Sequence, residues 1–246
     1  QDNTFKNNIP LLLRNSIAQL KQRFTSEVLW HFVGRNKDEA TSYNVLLSIM
    51  QSGFKVGKKN EEFKFWDGKA SKWVTLWGHP VSCLADIPLK DLHIHAERYG
   101  RFAIGFHKES VINNQFNPVL YVNQYSFLFH RFIELRNEVE AYLDKTDKSM
   151  SDKFQDFLLL LGSIAKAGDL KADPVNDANR DELQANNFYY EREWRSVYSW
   201  DFKKEDVAVV ILPDEYITKF LNDRETMKLR IDSMTVMLPF SMVYRL

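Results

Sequence analysis

Tyr189-Tyr190-Glu191-Arg192-Glu193-Trp194-Arg195-Ser196-Val197-Tyr198 is the stretch on which the reading of this chain turns. Charged and aromatic residues interleave along it, the period-two pattern of an extended strand with two unlike faces, and this predicts a strand over residues 190–200. On such a strand Glu191, Glu193 and Arg195 share one face, while Tyr190, Arg192, Trp194 and Tyr198 take the other. Two carboxylates two residues apart then stand about 7 Å from each other, close enough to act on one ligand. The same pattern fits a solvated charge ladder, with Arg192 and Arg195 paired across strands on a sheet surface. Spacing alone does not separate the two.

Downstream, the apolar run 207–212 reads as a strand, a helix follows Pro213, and a last strand is expected over 231–238. Upstream, residues 168–187 are rich in Asn and Asp, are broken by Pro174, and read as a polar, mobile loop. Before that loop, helices are expected over 124–143 and 152–167, and short strands over 119–122 and 102–106. A helix from Ile87-Pro88 through Tyr99 carries Pro in its first turn and Gly100 just past its end. Residues 63–66, 73–77 and 81–84 read as strands, with Asp67-Gly68 turning between the first two. The chain opens with an amphipathic helix at about 8–25, a buried strand at 27–33, a polar loop at 34–38, and a helix from Glu39 that Gly53 caps. Strands mixed irregularly with helices make an α+β fold, a mixed and mainly antiparallel sheet with flanking helices, in a single domain over 1–246.

With 44% hydrophobic residues the chain can build a core, and 33 basic against 33 acidic residues leave no global field for nucleic acid or anionic lipid. No strong general nucleic-acid binding is expected. No apolar run approaches the roughly 20 residues a membrane helix needs, no basic and apolar leader opens the sequence, and the cytoplasm is the expected compartment. Nine Gly in 246 residues include no G-x-G-x-x-G. The stretch Gly53-Phe54-Lys55-Val56-Gly57-Lys58-Lys59 fails as a phosphate loop, having three residues between its glycines where four are needed. A G-x-S-x-G elbow, an H-E-x-x-H helix and a calcium loop are absent too.

Cys83 is the one cysteine, so no internal disulfide or paired-thiolate zinc site can form. His93 and His95 sit two apart on an expected helix, point about 200° from each other, and cannot share one ion. No metal site is assigned. Cys83 with His79 could make a nucleophile pair, against the commoner role of a lone Cys as a small buried hydrophobe. In Leu29-Trp30-His31-Phe32-Val33-Gly34-Arg35, His31 and Arg35 fall on one face if the strand continues that far. A ligand donor and a hydrogen-bonded core histidine are equally open readings of His31.

Several of these segments, in this order, resemble the AbiGi family of abortive-infection, phage-resistance proteins. They are Leu29-Trp30-His31-Phe32-Val33-Gly34-Arg35, Leu46-Leu47-Ser48-Ile49-Met50-Gln51-Ser52-Gly53-Phe54, Val81-Ser82-Cys83-Leu84-Ala85-Asp86-Ile87-Pro88-Leu89, Arg98-Tyr99-Gly100-Arg101-Phe102-Ala103-Ile104-Gly105-Phe106, Asn117-Pro118-Val119-Leu120-Tyr121-Val122 and Tyr190-Glu191-Arg192-Glu193-Trp194-Arg195. The resemblance spans roughly residues 29 to 215. It implies a two-gene bacterial defence system, in which this kind of protein is the antitoxin and a nucleotidyltransferase-like product of the neighbouring gene is the toxin.

A weaker resemblance is to ADP-ribosyltransferases: a His-containing first strand, a helix ending in Ser-Gly-Phe, a Tyr-Gly turn and a late Glu-x-Glu strand. It implies NAD as cofactor, gripped by His31 or Arg35 with Arg195, and stacked on Tyr99. It makes Glu193 the catalytic carboxylate and Glu191 the group that activates the acceptor. The Ser-Thr-Ser element of one branch of that family is missing here. If the transferase reading holds, the surface beside Glu193 is a cleft also lined by the 31–35 segment.

Overall fold

A computed structural model describes residues 26–56, 60–67, 72–143, 148–168 and 188–243. The expected helix at 8–25, Gly68 of the expected turn, and loop positions 169–187 lie outside the described residues.

The body is a seven-stranded sheet of β1 (Val28–Val33), β4 (Ser82–Ala85), β5 (Phe102–His107), β6 (Asn117–Pro118), β9 (Glu193–Ser196), β10 (Val207–Leu212) and β11 (Val236–Pro239). Its order is β11-β10-β5-β1-β4-β9-β6. Every neighbouring pair is antiparallel except β10 with β11. Strand β5 is buried along five of its six residues because it lies centrally with helices over both faces. On one face Leu29, Val33, Ile104, Phe106 and Val210 pack against Tyr43, Leu46 and Met50 of helix α1 (Glu39–Ser52) and Phe220 of helix α6 (Ile217–Met227). On the other, Trp30, Ala85, Ala103 and Ile211 pack against Leu92 and Ala96 of helix α2 (Leu92–Tyr99) and Phe240 of helix α7 (Phe240–Val243). The fold is α+β with a mixed, mainly antiparallel sheet.

Local chemistry sets these elements. Asp38 caps α1, its Oδ1 accepting from Thr41 N at 2.7 Å, and Tyr43, Leu46, Leu47 and Met50 form the buried stripe. Gly100 ends α2 at φ +94°, where an added Cβ would stand 2.9 Å from the Val33 carbonyl. Only glycine lets α2 turn back this close to β1.

A second unit flanks the β9 side of the sheet. The hairpin β2 (Asn60–Asp67) and β3 (Lys72–Pro80), the parallel pair β7 (Leu120–Asn123) and β8 (Ala165–Gly168), and helices α4 (Phe127–Leu143) and α5 (Lys148–Ser163) gather around Phe63, Val122, Phe129, Phe132 and Leu158. Helix α3 (Lys108–Asn113), like α7, is an element the sequence reading did not anticipate.

Several expectations need correction. The strand expected over 190–200 is only Glu193–Ser196, because Tyr189–Glu191 forms a 3-10 turn and Arg192 is left-handed at φ +42°. The helix expected over 152–167 begins at Lys148 and ends at Ser163, after which Ala165 and Ala167 alternate into the second core as strand β8. The helix expected from Ile87 starts at Leu92, after a 3-10 turn at Leu89–Asp91. The last strand is Val236–Pro239, since Asp232 Oδ1 accepts from Met234 N and Thr235 N and holds those residues in a turn.

Candidate functional site

The register of the sheet decides which side chains meet. Trp30 pairs with Ala85, and Ala85 with Glu193, so these three lie side by side on the α2 face. Alternation places Phe32, Cys83 and Arg195 on the same face, and Cys83 pairs with Arg195 directly. Helix α2 supplies His95 and Tyr99 from above: the His95 ring meets Phe32 edge-on at 4.9 Å and stacks on Tyr99 at 4.3 Å. The result is a cleft lined by Trp30, His31, Phe32, Cys83, Leu84, Ala85, His95, Tyr99, Glu191 and Glu193.

A dense charge network stands behind the two carboxylates. Lys166 Nζ donates to Glu191 Oε2 at 2.5 Å and to Glu193 Oε2 at 3.2 Å. Arg195, only 1% exposed, donates from Nη2 to Glu193 Oε2 at 2.9 Å and to Glu61 at 3.2 Å, and from Nη1 to the Ser163 carbonyl at 3.0 Å. The Tyr99 hydroxyl donates to Glu191 Oε1 at 2.6 Å, and Arg98 lies 3.2 Å from the same oxygen. The backbone N–H of Glu193 donates to the Tyr121 hydroxyl at 2.7 Å. The Cys83 thiol also hydrogen-bonds the Glu193 carboxylate. Lys166 and Arg195 both make their closest approach to Oε2 of Glu193.

These neighbours fix the protonation states. Burial alone would raise the Glu193 carboxyl, but Lys166 and Arg195 outweigh it and hold the group at about 2. Glu191 is likewise kept below its ordinary value against burial, chiefly by the Lys166 ammonium. Burial would lower Lys166, yet Glu191 and Glu193 raise it above its normal range. Burial pulls His95 down to about 4, against the opposing pull of Glu191, so its imidazole is neutral at pH 7. The Cys83 thiol is pushed well up by burial and then by Glu193, and is a poor nucleophile.

Glu193, Arg195, Glu191 and Tyr99 therefore come together in one network. Glu193 and Arg195 share a strand face, whereas Glu191 reaches the cluster from the turn before β9. A solvated ladder is ruled out for Glu193 and Arg195, which are buried. His31 and Arg35 do not share a face, because β1 ends at Val33 and the chain turns through Gly34 at φ +129° and Asn36 at φ +56°. Arg35 lies over the Tyr99 ring, 5.2 Å from its centroid. His31 lies on the face of β1 opposite to Trp30, edge-on to Phe54 at 4.3 Å, and its Nδ1 stands 3.1 Å from the Cys83 carbonyl. A carbonyl only accepts, so Nδ1 carries the proton. Burial lowers His31 to about 4, partly opposed by that hydrogen bond. The ring thereby bridges β1 and β4 just beyond Trp30↔Ala85, their one registered pair.

Lys166, Arg98 and Tyr121 escaped the sequence reading. Lys166 carried one signal, a charge between the small residues Ala165 and Ala167, which at period two marks a buried strand with a single polar side chain. Among the described residues no three His, Cys, Asp or Glu side chains converge to hold a metal, and no helix is long and apolar enough to cross a membrane.

A family model described as "Putative abortive phage resistance protein AbiGi, antitoxin" matches residues 51–235. That stretch contains Cys83, Arg98, Tyr99, Tyr121, Lys166, Glu191, Glu193 and Arg195, and leaves out His31 and Arg35. The "Abortive phage resistance protein AbiGi" of Lactococcus lactis subsp. cremoris is 30% identical over 148 residues, 55% of this chain and 56% of that relative. The match thus spans about half the length of the relative. No solved structure matches the chain. Since the family model covers most of its length, including the whole charge network behind the cleft, the chain belongs to the AbiGi family of abortive phage resistance proteins.

Proposed function

We propose that this chain is the antitoxin of an abortive-infection system, working in the cytoplasm by binding a toxin made from a neighbouring gene and holding it inactive until phage infection. The family match over residues 51–235 carries this reading, because it takes in five of the sheet's seven strands and the second unit. A partner-binding protein needs a rigid scaffold more than a reactive group. Carboxylates already paired with cations and a protonated thiol fit that need. Co-expression with the product of the neighbouring gene tests it: the two proteins should co-purify, and growth should be restored relative to the toxin alone.

One observation favours a second reading, in which the cleft is an NAD site and Glu193 a catalytic carboxylate. Tyr99, Glu191 and Glu193 line the same aromatic-walled cleft. Cleavage of a nicotinamide–ribose bond develops positive charge on the sugar, and an ionised carboxylate held beside it stabilises that charge. In this reading Tyr99 and Arg35 border the ring site, and Glu191 activates the acceptor. Incubation with labelled NAD tests it through nicotinamide release.

A further inference from the structure

The second unit and the main sheet do not share an apolar core. Phe63, Val122, Phe129, Phe132, Leu158, Ala165 and Ala167 form one buried cluster, and the two faces of the sheet form two others. The seam between them carries a buried polar network, beside the buried link residues Val81 and Val119 and the Tyr121–Tyr189 ring contact. From the second unit come Lys166, Tyr121, the Ser163 carbonyl and Glu61; from the β9 side come Glu191, Glu193 and Arg195. The chain crosses four times: between α1 and β2, between β3 and β4 at Val81, between β6 and β7 at Val119, and between β8 and the turn that precedes β9, with Val81 and Val119 each a single-residue link. Two bodies with separate cores, joined by these crossings and a cluster of charge-assisted hydrogen bonds, have the anatomy of a hinge held by a clasp.

We propose that Lys166 is the clasp of this hinge, fastening strand β8 of the second unit to Glu191 and Glu193, and that its release lets the second unit swing away from the wall of the cleft. The geometry links the joint to the cleft. Glu191 and Glu193 line the cleft on one side and receive Lys166 on the other. A ligand or partner group that brings positive charge or hydrogen-bond donors to these carboxylates from the cleft weakens their attraction for Lys166. Occupancy of the cleft and the position of the second unit are then two readings of one equilibrium.

The full chain offers a direct test, because its single cysteine lines this cleft. In Lys166→Gln, thiol labelling of Cys83 under native conditions should accelerate about ten-fold or more, with low denaturant dependence, as expected for local opening. Loss of the ammonium leaves Glu193 less neutralised, which drives the thiol further towards its unreactive protonated form, so faster labelling cannot arise from thiol acidity. Hydrogen exchange should speed up by a similar factor at the amides of Val119 and Glu193, which donate across the seam, while 102–107 in the sheet centre stays protected. Tyr121→Phe, which removes the hydroxyl that receives the Glu193 N–H, should shift both readouts in the same direction by a smaller factor, and carries the test if the first variant does not fold. Unchanged labelling and exchange in the variant, or equal loss of protection in 102–107, would overturn the proposal.

Discussion

Lys166 and Glu193 stand 27 residues apart in the chain and meet at 3.2 Å, with the ammonium shared at 2.5 Å by Glu191. One partner comes from the strand that follows helix α5 and the other from the sheet, so this contact joins the two halves of the molecule. It also explains how two carboxylates can line one cleft in ionised form. Without a cation between them, like charges this close would bind a proton.

That relationship sets the behaviour of Lys166→Met. Removing one member of a buried ion network strands the others, and the variant should lose about 3 kcal/mol at pH 8. Its loss should shrink towards pH 5, because the two buried carboxylates then lack the shared ammonium between them, and one of them acquires a folded-state pKa above its unfolded value. Stability from that proton is present at low pH and disappears as pH rises through the raised pKa. Urea unfolding at both pH values measures this, and an equal loss at each would contradict it.

The native protein should show the opposite slope. Glu193 sits at about 2 against an ordinary 4.5, so its contribution is complete above pH 4.5 and is lost as pH falls towards 2. His31 and His95 sit at about 4 against 6.5. For a base whose folded pKa is depressed, the unfolded chain takes up the proton first, so stability is complete above pH 6.5 and falls between 6.5 and 4. Each ring should account for ~3 kcal/mol across that interval. A His31→Gln variant should lose one ring's share of the slope, and a slope equal to the native one would refute the role given to His31.

Glu193→Gln distinguishes a buried network from a surface one. An exposed ladder would lose under about 1 kcal/mol, whereas removal of this buried charge should cost about 3 kcal/mol. If the NAD reading holds, nicotinamide release should vanish in this variant while a correctly folded fraction remains. Full turnover by the variant would end that reading.

Gly105→Ala probes the wall of the cleft. Its Cβ would stand 2.7 Å from the Trp30 ring and 2.6 Å from the Val28 side chain, with no positive φ to add strain. Overpacking of this kind costs about 2 kcal/mol. A change below about 0.5 kcal/mol in denaturant unfolding would show that Trp30 yields freely.

The parts of the fold legible in the sequence are those whose own residues decide them. Strand β5 and helix α1 follow from an apolar run and from a capped amphipathic stripe. Strand β8 was not legible because it is only four residues long, Ala165–Gly168, directly follows a helical stretch, and becomes a strand through its parallel pairing with Leu120–Asn123. The Glu191, Glu193 and Tyr99 grouping could be anticipated only as a resemblance, since 92 residues separate Tyr99 from Glu191. How Glu191 arrives was hidden, because the left-handed turn at Arg192 lets Asp86 N donate to the Arg192 carbonyl, a tertiary contact. His31 was placed on the strand correctly, but its role as a bridge to the Cys83 carbonyl depends on how β1 and β4 part.

The antitoxin reading is tested most directly by expressing the neighbouring gene's product with and without this chain in the same bacterial host. The account predicts that the partner alone arrests growth, that this chain restores it, and that the two co-purify as a stable complex. Unrelieved toxicity together with no detectable complex would contradict it.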